Sequence, residues 1–276
     1  MTETNTTLTL ALDPYAPAEI AERVETAGVA KARLPVVGTL TLAALAGAFI
    51  ALGGMFFTLV MTGADFALGA DRLLGGIAFS LGLILVVVAG AELFTGNNLI
   101  VIAWADRLIS TGALLRNWGL VYVGNFVGSV GMVVLVVLAG VLDLGGGALG
   151  ETAAAIAKAK VALPLHTAFF SGILCNILVC LAVWMCFAAR RVTGKVLCIV
   201  FPISAFVALG FEHSIANMYL IPIGMIADAR LGGGGLDVAA FLGNLIPVTL
   251  GNIVGGGVLV AAVYWLIYRR GRDQGA

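Results

Sequence analysis

The sequence predicts an all-α membrane protein with six transmembrane helices, arranged as two inverted three-helix repeats that each contain one interrupted helix. The first observation is the composition, because 61% of the 276 residues are hydrophobic and 11% are charged, whereas soluble domains are about half apolar and about a quarter charged. The second is a succession of six long apolar segments, and the third is a polar motif that breaks the second segment and recurs in the fifth. The net formal charge is zero, so we expect no nucleic acid partner.

The region before the first apolar segment predicts a short amphipathic helix. Within residues 17–34, Ile20, Val24 and Ala27 share one face at helical spacing, and we expect this helix to lie against the membrane surface or the helix bundle. The first 35 residues contain no long apolar core, so we expect no cleavable signal peptide. The predicted units are a cytoplasmic N-terminal amphipathic segment at 1–35, a six-span transmembrane domain at 36–270 and a cytoplasmic tail at 271–276.

Six apolar segments account for most of the chain, and each exceeds the about 20 residues that a helix needs to cross a bilayer. They lie at 37–62, 73–105, 113–142, 163–189, 195–227 and 239–268. The second and fifth are too long for simple spans, and polar residues interrupt both. Most lysines and arginines fall on the side that holds both termini, so we expect a multi-pass protein of the bacterial inner membrane with cytoplasmic termini.

Polar motifs recur between the two halves of the chain. Glu92 precedes Asn97 in the second segment and Glu212 precedes Asn217 in the fifth, both in a Glu-x4-Asn pattern. The third and sixth segments share an asparagine followed, at identical spacing, by Gly-Asn-x-Val-Gly. Because each half has three spans, the halves must insert with opposite polarity. Inverted repeats with helices interrupted at matching positions indicate a solute path near the midplane of the membrane.

Glu92 and Glu212 stand deep in apolar segments, where a charge costs about 2.5–3.5 kcal/mol even on insertion scales. Each lies at a helix interruption, which frees backbone NH groups that lipid cannot satisfy. We therefore interpret these two carboxylates as acceptors for the freed NH groups, and Asn97 and Asn217 as further loop-stabilising side chains, rather than as solute contacts.

The two interruptions also contain residues that suit a solute path. Thr95 offers a hydroxyl that can donate to an anion. His213 can donate a hydrogen bond or a proton near neutral pH, and both a proton-relay role and a purely structural role stay open. Phe79 and Leu83 share a helix face, and Phe206 shares a face with His213. Apolar rings at such positions can narrow a pore, although packing is their commoner role.

The four cysteines stand in or beside apolar segments without any CxxC pair, which favours apolar packing over a redox or metal role. We therefore expect neither a metal nor a cofactor. The sequence contains no Gly-x-Ser-Gly motif of intramembrane serine proteases and no His-Glu-x-x-His zinc motif. For this reason we do not expect an enzyme.

Residues 75–97 (GGIAFSLGLILVVVAGAELFTGN) closely resemble the second-span signature of the formate/nitrite transporter family. Residues 172–185, 210–224 and 244–257 resemble further stretches of that family, and the likeness extends over 15–270. It is strongest toward the formate channels of the family. The resemblance implies an aquaporin-like protomer, one pore per protomer, and a homopentamer that passes small monovalent anions across the lipid bilayer.

The resemblance also implies roles for individual residues. Thr95 and His213 match a central threonine and histidine on the two interrupted segments, and Asn176 matches a polar partner near the threonine loop. Lys160 matches a lysine that attracts anions at the outer mouth. Constrictions are implied on the cytoplasmic side at Phe79 and Leu83, and on the periplasmic side at Phe206.

We expect formate to be the substrate, moving in both directions, with proton coupling through the central histidine as one mechanism. Nitrite and hydrosulfide are alternatives within the same family. A neutral-solute channel and an intramembrane enzyme are alternatives outside it. The absence of Asn-Pro-Ala motifs argues against conduction of water or glycerol of the aquaporin type.

Overall fold

The computed structural model describes residues 14–65 and 67–270, so residues 1–13 and the predicted tail at 271–276 lie outside the described part of the chain. The regular structure of the described residues is helical. The α-helices are α1 (Pro17–Ala32), α2 (Val36–Met61), α3 (Leu68–Leu85), α4 (Val101–Ala105), α5 (Thr111–Leu138), α6 (Ala148–Val161), α7 (Leu165–Ala188), α8 (Val192–Ala208), α9 (Ser214–Arg230), α10 (Val238–Ile253) and α11 (Val263–Tyr268). The π-helical stretches Val86–Gly90 and Val254–Ala262 extend α3 and α10, and the 3-10 helices Gly96–Ile100 and Val141–Asp143 precede α4 and α6.

Five helices of the described residues are long and apolar enough to cross a membrane. They are Val36–Met61, Leu68–Gly90, Thr111–Leu138, Leu165–Ala188 and Val238–Tyr268. Two shorter apolar helices, Gly96–Ala105 and Val192–Ala208, complete the set. The second and fifth apolar segments of the sequence are each divided, at 91–95 and at 209–213.

A glycine lies at the start of each break, as the last residue of the preceding helix at Gly90 and two residues after α8 at Gly210. Gly90 has φ of +84° and Gly210 has φ of +72°, values in the left-handed region that a side chain makes costly. Their lack of a Cβ lets the chain leave the helix abruptly and expose backbone groups at the break. The two breaks therefore have a local sequence cause.

Close backbone contact between long helices holds the bundle together. α2 packs along α5, and α7 packs along α10. A Cβ at Gly128 of α5 would overlap the carbonyl oxygen of Ala44, and a Cβ at Gly255 would overlap that of Ile173. Small residues allow such approach in membranes, where van der Waals packing rather than water exclusion drives helix association.

Helix α1 docks onto the bundle, which is one of the two positions expected from its sequence. Its apolar side chains Ile20 and Val24 are buried in a cluster that includes Ile100 and Ile102 from the segment after the first break. Gly28 lies so close to Ala103 that a Cβ at Gly28 would come within 3.3 Å of the Ala103 Cβ. This contact places the end of α1 beside the first break.

Candidate solute pathway

Two cavities penetrate the bundle from opposite ends of α2. The terminus-side vestibule, of about 470 Å³, is lined by Leu42 near the start of α2 and by residues of α1. The far-side vestibule, of about 530 Å³, is lined by Met61 at the end of α2 and by residues of α6. The first break lines the terminus-side vestibule, and the second break lines the far-side vestibule.

Four residues form the Glu92 cluster at the first break. Lys31 Nζ donates to Glu92 Oε1 at 2.7 Å and to Asn97 Oδ1 at 3.0 Å. Asn97 Nδ2 donates to Glu92 Oε2 at 2.7 Å and to Asn117 Oδ1 at 3.0 Å. Asn117 Nδ2 in turn donates to the backbone carbonyl of Lys31 at 3.1 Å, which closes the network. The closed network neutralises a buried carboxylate and ties α1 to the break.

The Glu212 cluster at the second break has the same composition, with one lysine, one glutamate and two asparagines. Lys160 Nζ donates to Glu212 Oε1 at 2.8 Å, and Asn217 Nδ2 donates to Glu212 Oε2 at 2.6 Å. Asn217 Nδ2 also donates to Asn244 Oδ1 at 2.7 Å, and Asn244 Nδ2 donates to the Lys160 carbonyl at 2.8 Å. Here the lysine comes from the end of α6, so this network ties α6 to its break.

The clusters correct the expectation that Glu92 and Glu212 accept hydrogen bonds from freed backbone NH groups. In the described part of the chain, both carboxylates are instead paired with lysine and asparagine side chains. Lys31 is a partner of Glu92 that the sequence motifs did not identify. Its signal is that Lys31 stands four residues before Pro35, as Lys160 stands four residues before Pro164.

The backbone of each break is held by the asparagine of the Gly-Asn-x-Val-Gly motif. Asn125 Oδ1 accepts from the Phe94 NH at 2.9 Å, and its Nδ2 donates to the carbonyls of Glu92 at 2.9 Å and Ala43 at 2.7 Å. Asn252 does the same at the second break. Its partners are the Ser214 NH at 2.9 Å and the carbonyls of Glu212 at 3.0 Å and Gly172 at 2.8 Å. These two amides satisfy the backbone groups that the interruptions free.

Thr95 and His213 meet where the two breaks come together. Thr95 Oγ1 lies 2.8 Å from His213 Nε2, and both residues are buried. The Ala216 NH donates to His213 Nδ1 at 3.0 Å, which caps α9. Because Nδ1 accepts, the proton of a neutral imidazole resides on Nε2, and Nε2 therefore donates to Thr95 Oγ1. The Thr95 hydroxyl hydrogen is then available to another acceptor.

Asn176 supports the Thr95 loop through the backbone. Its Nδ2 lies 3.2 Å from the Thr95 carbonyl, 3.1 Å from Asn98 Oδ1 and 2.7 Å from the Asn252 carbonyl. Cys180 Sγ donates to the same Thr95 carbonyl at 3.3 Å. The amide of Asn176 thus links the first break to the helix that holds the second.

Three aromatic rings close the far-side vestibule. Phe79 and Phe206 are in edge contact with ring centroids 5.7 Å apart, and Phe206 stacks on His213 at 5.9 Å. All three line the far-side vestibule, whereas Leu83 lines the terminus-side vestibule. The expected grouping of Phe79 with Leu83 on one side is therefore wrong. A spacing of four residues places Phe79 and Leu83 on the same helix face, but it also separates them by about 6 Å along the helix axis.

The described part of the chain contains no group of three or more residues of the types that hold a metal ion. The pathway offers hydrogen-bond donors from lysine, threonine, histidine and asparagine, and the two carboxylates beside it are each paired with a lysine. Such donors can hold a small anion transiently by hydrogen bonds.

Comparison with known proteins identifies relatives of this chain over nearly its whole length. A sequence model of the formate/nitrite transporter family matches residues 18–266. The formate channel FocA of Escherichia coli (strain K12) is 43% identical over 277 residues, covering 95% of this chain and 97% of that protein. A probable formate transporter of Methanothermobacter thermautotrophicus is 40% identical, covering 91% of this chain and 96% of that protein.

Solved structures show the same likeness. A pentameric formate channel with formate bound is 43% identical, matches with a TM-score of 0.77, and covers 84% of this chain and 97% of its own. An ion channel of the same family is 32% identical, with a TM-score of 0.80 and coverage of 90% and 98%. These relatives are channels and transporters rather than enzymes, as the sequence predicted.

Proposed function

This chain belongs to the formate/nitrite transporter family, and on that premise we propose that it forms a membrane pathway for small monovalent anions with formate as its principal substrate. The observation that carries this proposal is the buried Thr95–His213 hydrogen bond, which lies between two vestibules that each present a lysine. Hydrogen-bond donors at the centre, with apolar side chains on either side of them, suit a small anion that is briefly dehydrated.

We further propose that the protomer spans the membrane six times, with the two breaks in its second and fifth spans and with cytoplasmic termini. Five apolar helices and the pair α8 and α9, which would together form the fifth span, support this count. The matching Glu92 and Glu212 clusters support an inverted three-helix repeat. The named relatives include a pentameric channel, and we propose the same homopentamer here, in the bacterial inner membrane. The channel domain would be 36–270, with 1–35 and 271–276 facing the cytoplasm.

The proposed path passes Leu83 on the terminus side, the Thr95–His213 pair at the centre and the Phe79–Phe206 contact on the far side. Lys160 is 16% exposed in its side chain, so its remaining donor capacity faces the far-side vestibule and can hold an anion at short range. Asn176 keeps the Thr95 loop in place through the loop's carbonyl. The apolar rings reject larger solutes by size and water by poor wetting.

His213 acts in this proposal as a neutral hydrogen-bond donor. An anion at the centre can accept from the Thr95 hydroxyl and, by displacing that hydroxyl, from His213 Nε2–H. A proton relay would require the imidazolium form, in which Nδ1 also carries hydrogen and can no longer accept from the Ala216 NH. The relay would therefore cost the cap of α9, whereas the neutral donor keeps it.

The proposal is tested by solute flux into liposomes that contain the purified protein, using formate, nitrite, hydrosulfide and glycerol in parallel. We expect formate flux well above that of protein-free liposomes, and glycerol flux close to background. Thr95→Val keeps the size of the side chain but removes the donor, so formate flux should fall roughly tenfold or more. Equal passage of glycerol would contradict an anion pathway, and faster passage of nitrite would replace formate as the principal substrate.

A further inference from the structure

Each vestibule has the same arrangement of charge on its lining: two cationic side chains and one carboxylate. The charged groups of the terminus-side vestibule are Lys31, Lys195 and Glu92. Those of the far-side vestibule are Lys160, Arg72 and Glu212. By formal charge, each cavity therefore has one positive charge in excess.

The excess charge does not belong to the two clusters, because each cluster pairs its lysine with its carboxylate. Lys31 lies 2.7 Å from Glu92, and Lys160 lies 2.8 Å from Glu212. Neither Arg72 nor Lys195 takes part in an ion pair with another described residue. Arg72 Nη1 donates only weakly to the carbonyl of Ala208, at 3.3 Å, which leaves its charge uncompensated.

The two unpaired cations occupy matching places in the fold. Arg72 lies in the first turns of α3, and Lys195 lies in the first turn of α8. These helices pack against each other and lead into the two breaks from opposite ends of the bundle. One unpaired cation consequently lines each vestibule in addition to the paired lysine.

We propose that Arg72 and Lys195 are the residues that recruit the anion from solution, Arg72 at the far-side vestibule and Lys195 at the terminus-side vestibule. This inference rests on the proposed anion pathway. An unpaired charge raises the local concentration of anions over roughly a Debye length, about 10 Å at 0.1 M salt. A lysine paired with a carboxylate at 2.7–2.8 Å has a dipolar field that decays faster, so it acts by contact after recruitment.

The test measures formate uptake into vesicles of a single orientation, with the sidedness fixed by protease access to a C-terminal tag. At low ionic strength, Arg72→Gln should raise the half-saturating formate concentration for uptake from the far side by roughly twofold to fivefold. Uptake from the terminus side should change little. Lys195→Gln should show the reverse dependence, and both effects should vanish at about 0.5 M salt because screening removes the attraction.

Two exposed arginines outside the vestibule linings provide matched controls, Arg33→Gln on the terminus side and Arg230→Gln on the far side. Unchanged half-saturation in both test variants, or a change equal to that of the controls, would overturn the assignment. If the parent protein transports formate in that case, only this inference fails. If the parent transports no formate from either side, the proposed function fails with it.

Discussion

The Glu92 and Glu212 clusters share one design and differ in how tightly the lysine is held. In the Glu92 cluster, Lys31 bonds both the carboxylate and Asn97 Oδ1. In the Glu212 cluster, Lys160 bonds the carboxylate alone, and Asn217 Oδ1 has no partner among the described residues. The same network can therefore serve as a closed structural tie at one break and retain donor capacity at the other.

The helix that supplies the lysine of the Glu92 cluster, α1, is also attached to the rest of the protein by a further ion pair. α1 is fastened a second time, because Arg269 pairs with both Glu25 and Asp106, and Trp265 Nε1 also donates to Asp106. The Glu25–Arg269 pair joins α1 to the residue that follows α11, and Asp106 connects the end of α4 to the same region. The lysine at the first break therefore has a second acceptor and comes from a helix with an additional ion pair, whereas the lysine at the second break has the carboxylate as its one side-chain acceptor among the described residues.

The largest expected effect comes from removing each carboxylate in turn. Glu212→Ala leaves Lys160 without its acceptor in a largely buried site, which should cost about 3–5 kcal/mol. Glu92→Ala should cost less, because Lys31 retains Asn97 as an acceptor. Thermal unfolding of the purified protein in detergent should rank the midpoints in the order parent, Glu92→Ala, Glu212→Ala.

Glu151→Ala, at an exposed position on α6, is the matched control and should unfold close to the parent midpoint. A lower midpoint for Glu92→Ala than for Glu212→Ala would show that the extra bonds of the Glu92 cluster do not protect it. The additional hydrogen bond of Lys31 would then not contribute to the stability of the protein.

The constrictions on the two sides should behave as barriers in series. Leu83→Ala enlarges the terminus-side barrier only, and Phe206→Ala enlarges the far-side barrier only. Each single change should admit a larger monocarboxylate such as lactate weakly, and the double change should admit it roughly tenfold better. Phe56→Ala, at a ring that is 43% exposed, should leave selection unchanged. If Leu83→Ala alone admits lactate fully, the far-side aromatic rings do not form a second barrier and serve only in packing.

The second fastening of α1 should depend on pH. Burial, reinforced by the neighbouring Asp106 carboxyl and opposed by Arg269, raises the pKa of Glu25 from 4.5 to about 7. The Glu25 carboxyl binds its proton more tightly when α1 is docked than when α1 is free. The contribution of Glu25 to docking is therefore fully present below pH 4.5. It is lost as the pH rises through about 7.

Hydrogen exchange of α1 amides, corrected for the intrinsic rate at each pH, measures this effect. Protection should be modestly higher at pH 5.5 than at pH 7.5 in the parent, and Glu25→Gln should reduce the difference. The opposite slope in the parent, or the same slope in Glu25→Gln, would remove Glu25 as the origin of the pH response.

Much of this arrangement could be predicted from the sequence. Apolar length located the helices, and the Glu-x4-Asn motifs located both breaks, because a charge deep in an apolar segment demands a local cause. The depth of Phe79 could not be predicted, because helical periodicity gives a face and not a position along the axis. The partnership of Lys31 with Glu92 joins residues 61 apart in the sequence, and only the docking of α1 brings them together.

The Thr95–His213 contact shows a further limit of pattern reasoning. Thr95 is the fourth residue of its Glu-x4-Asn motif, whereas His213 is the second of its own. Repeat symmetry would pair Thr95 with Ile215 and His213 with Leu93. The hydrogen-bonded pair breaks that symmetry, so the motifs identify the two loops but not which side chains meet.

We propose that formate passes the Thr95–His213 pair while His213 remains a neutral donor. The most direct test is formate flux between pH 6 and pH 8 in the parent and in His213→Asn, after oligomeric integrity has been checked by size-exclusion chromatography. Asparagine keeps an N–H donor and removes the titratable ring. We predict a lower flux in His213→Asn with the same pH dependence as the parent. Loss of the parent's pH dependence in an intact His213→Asn protein would contradict the claim and establish proton transfer by His213.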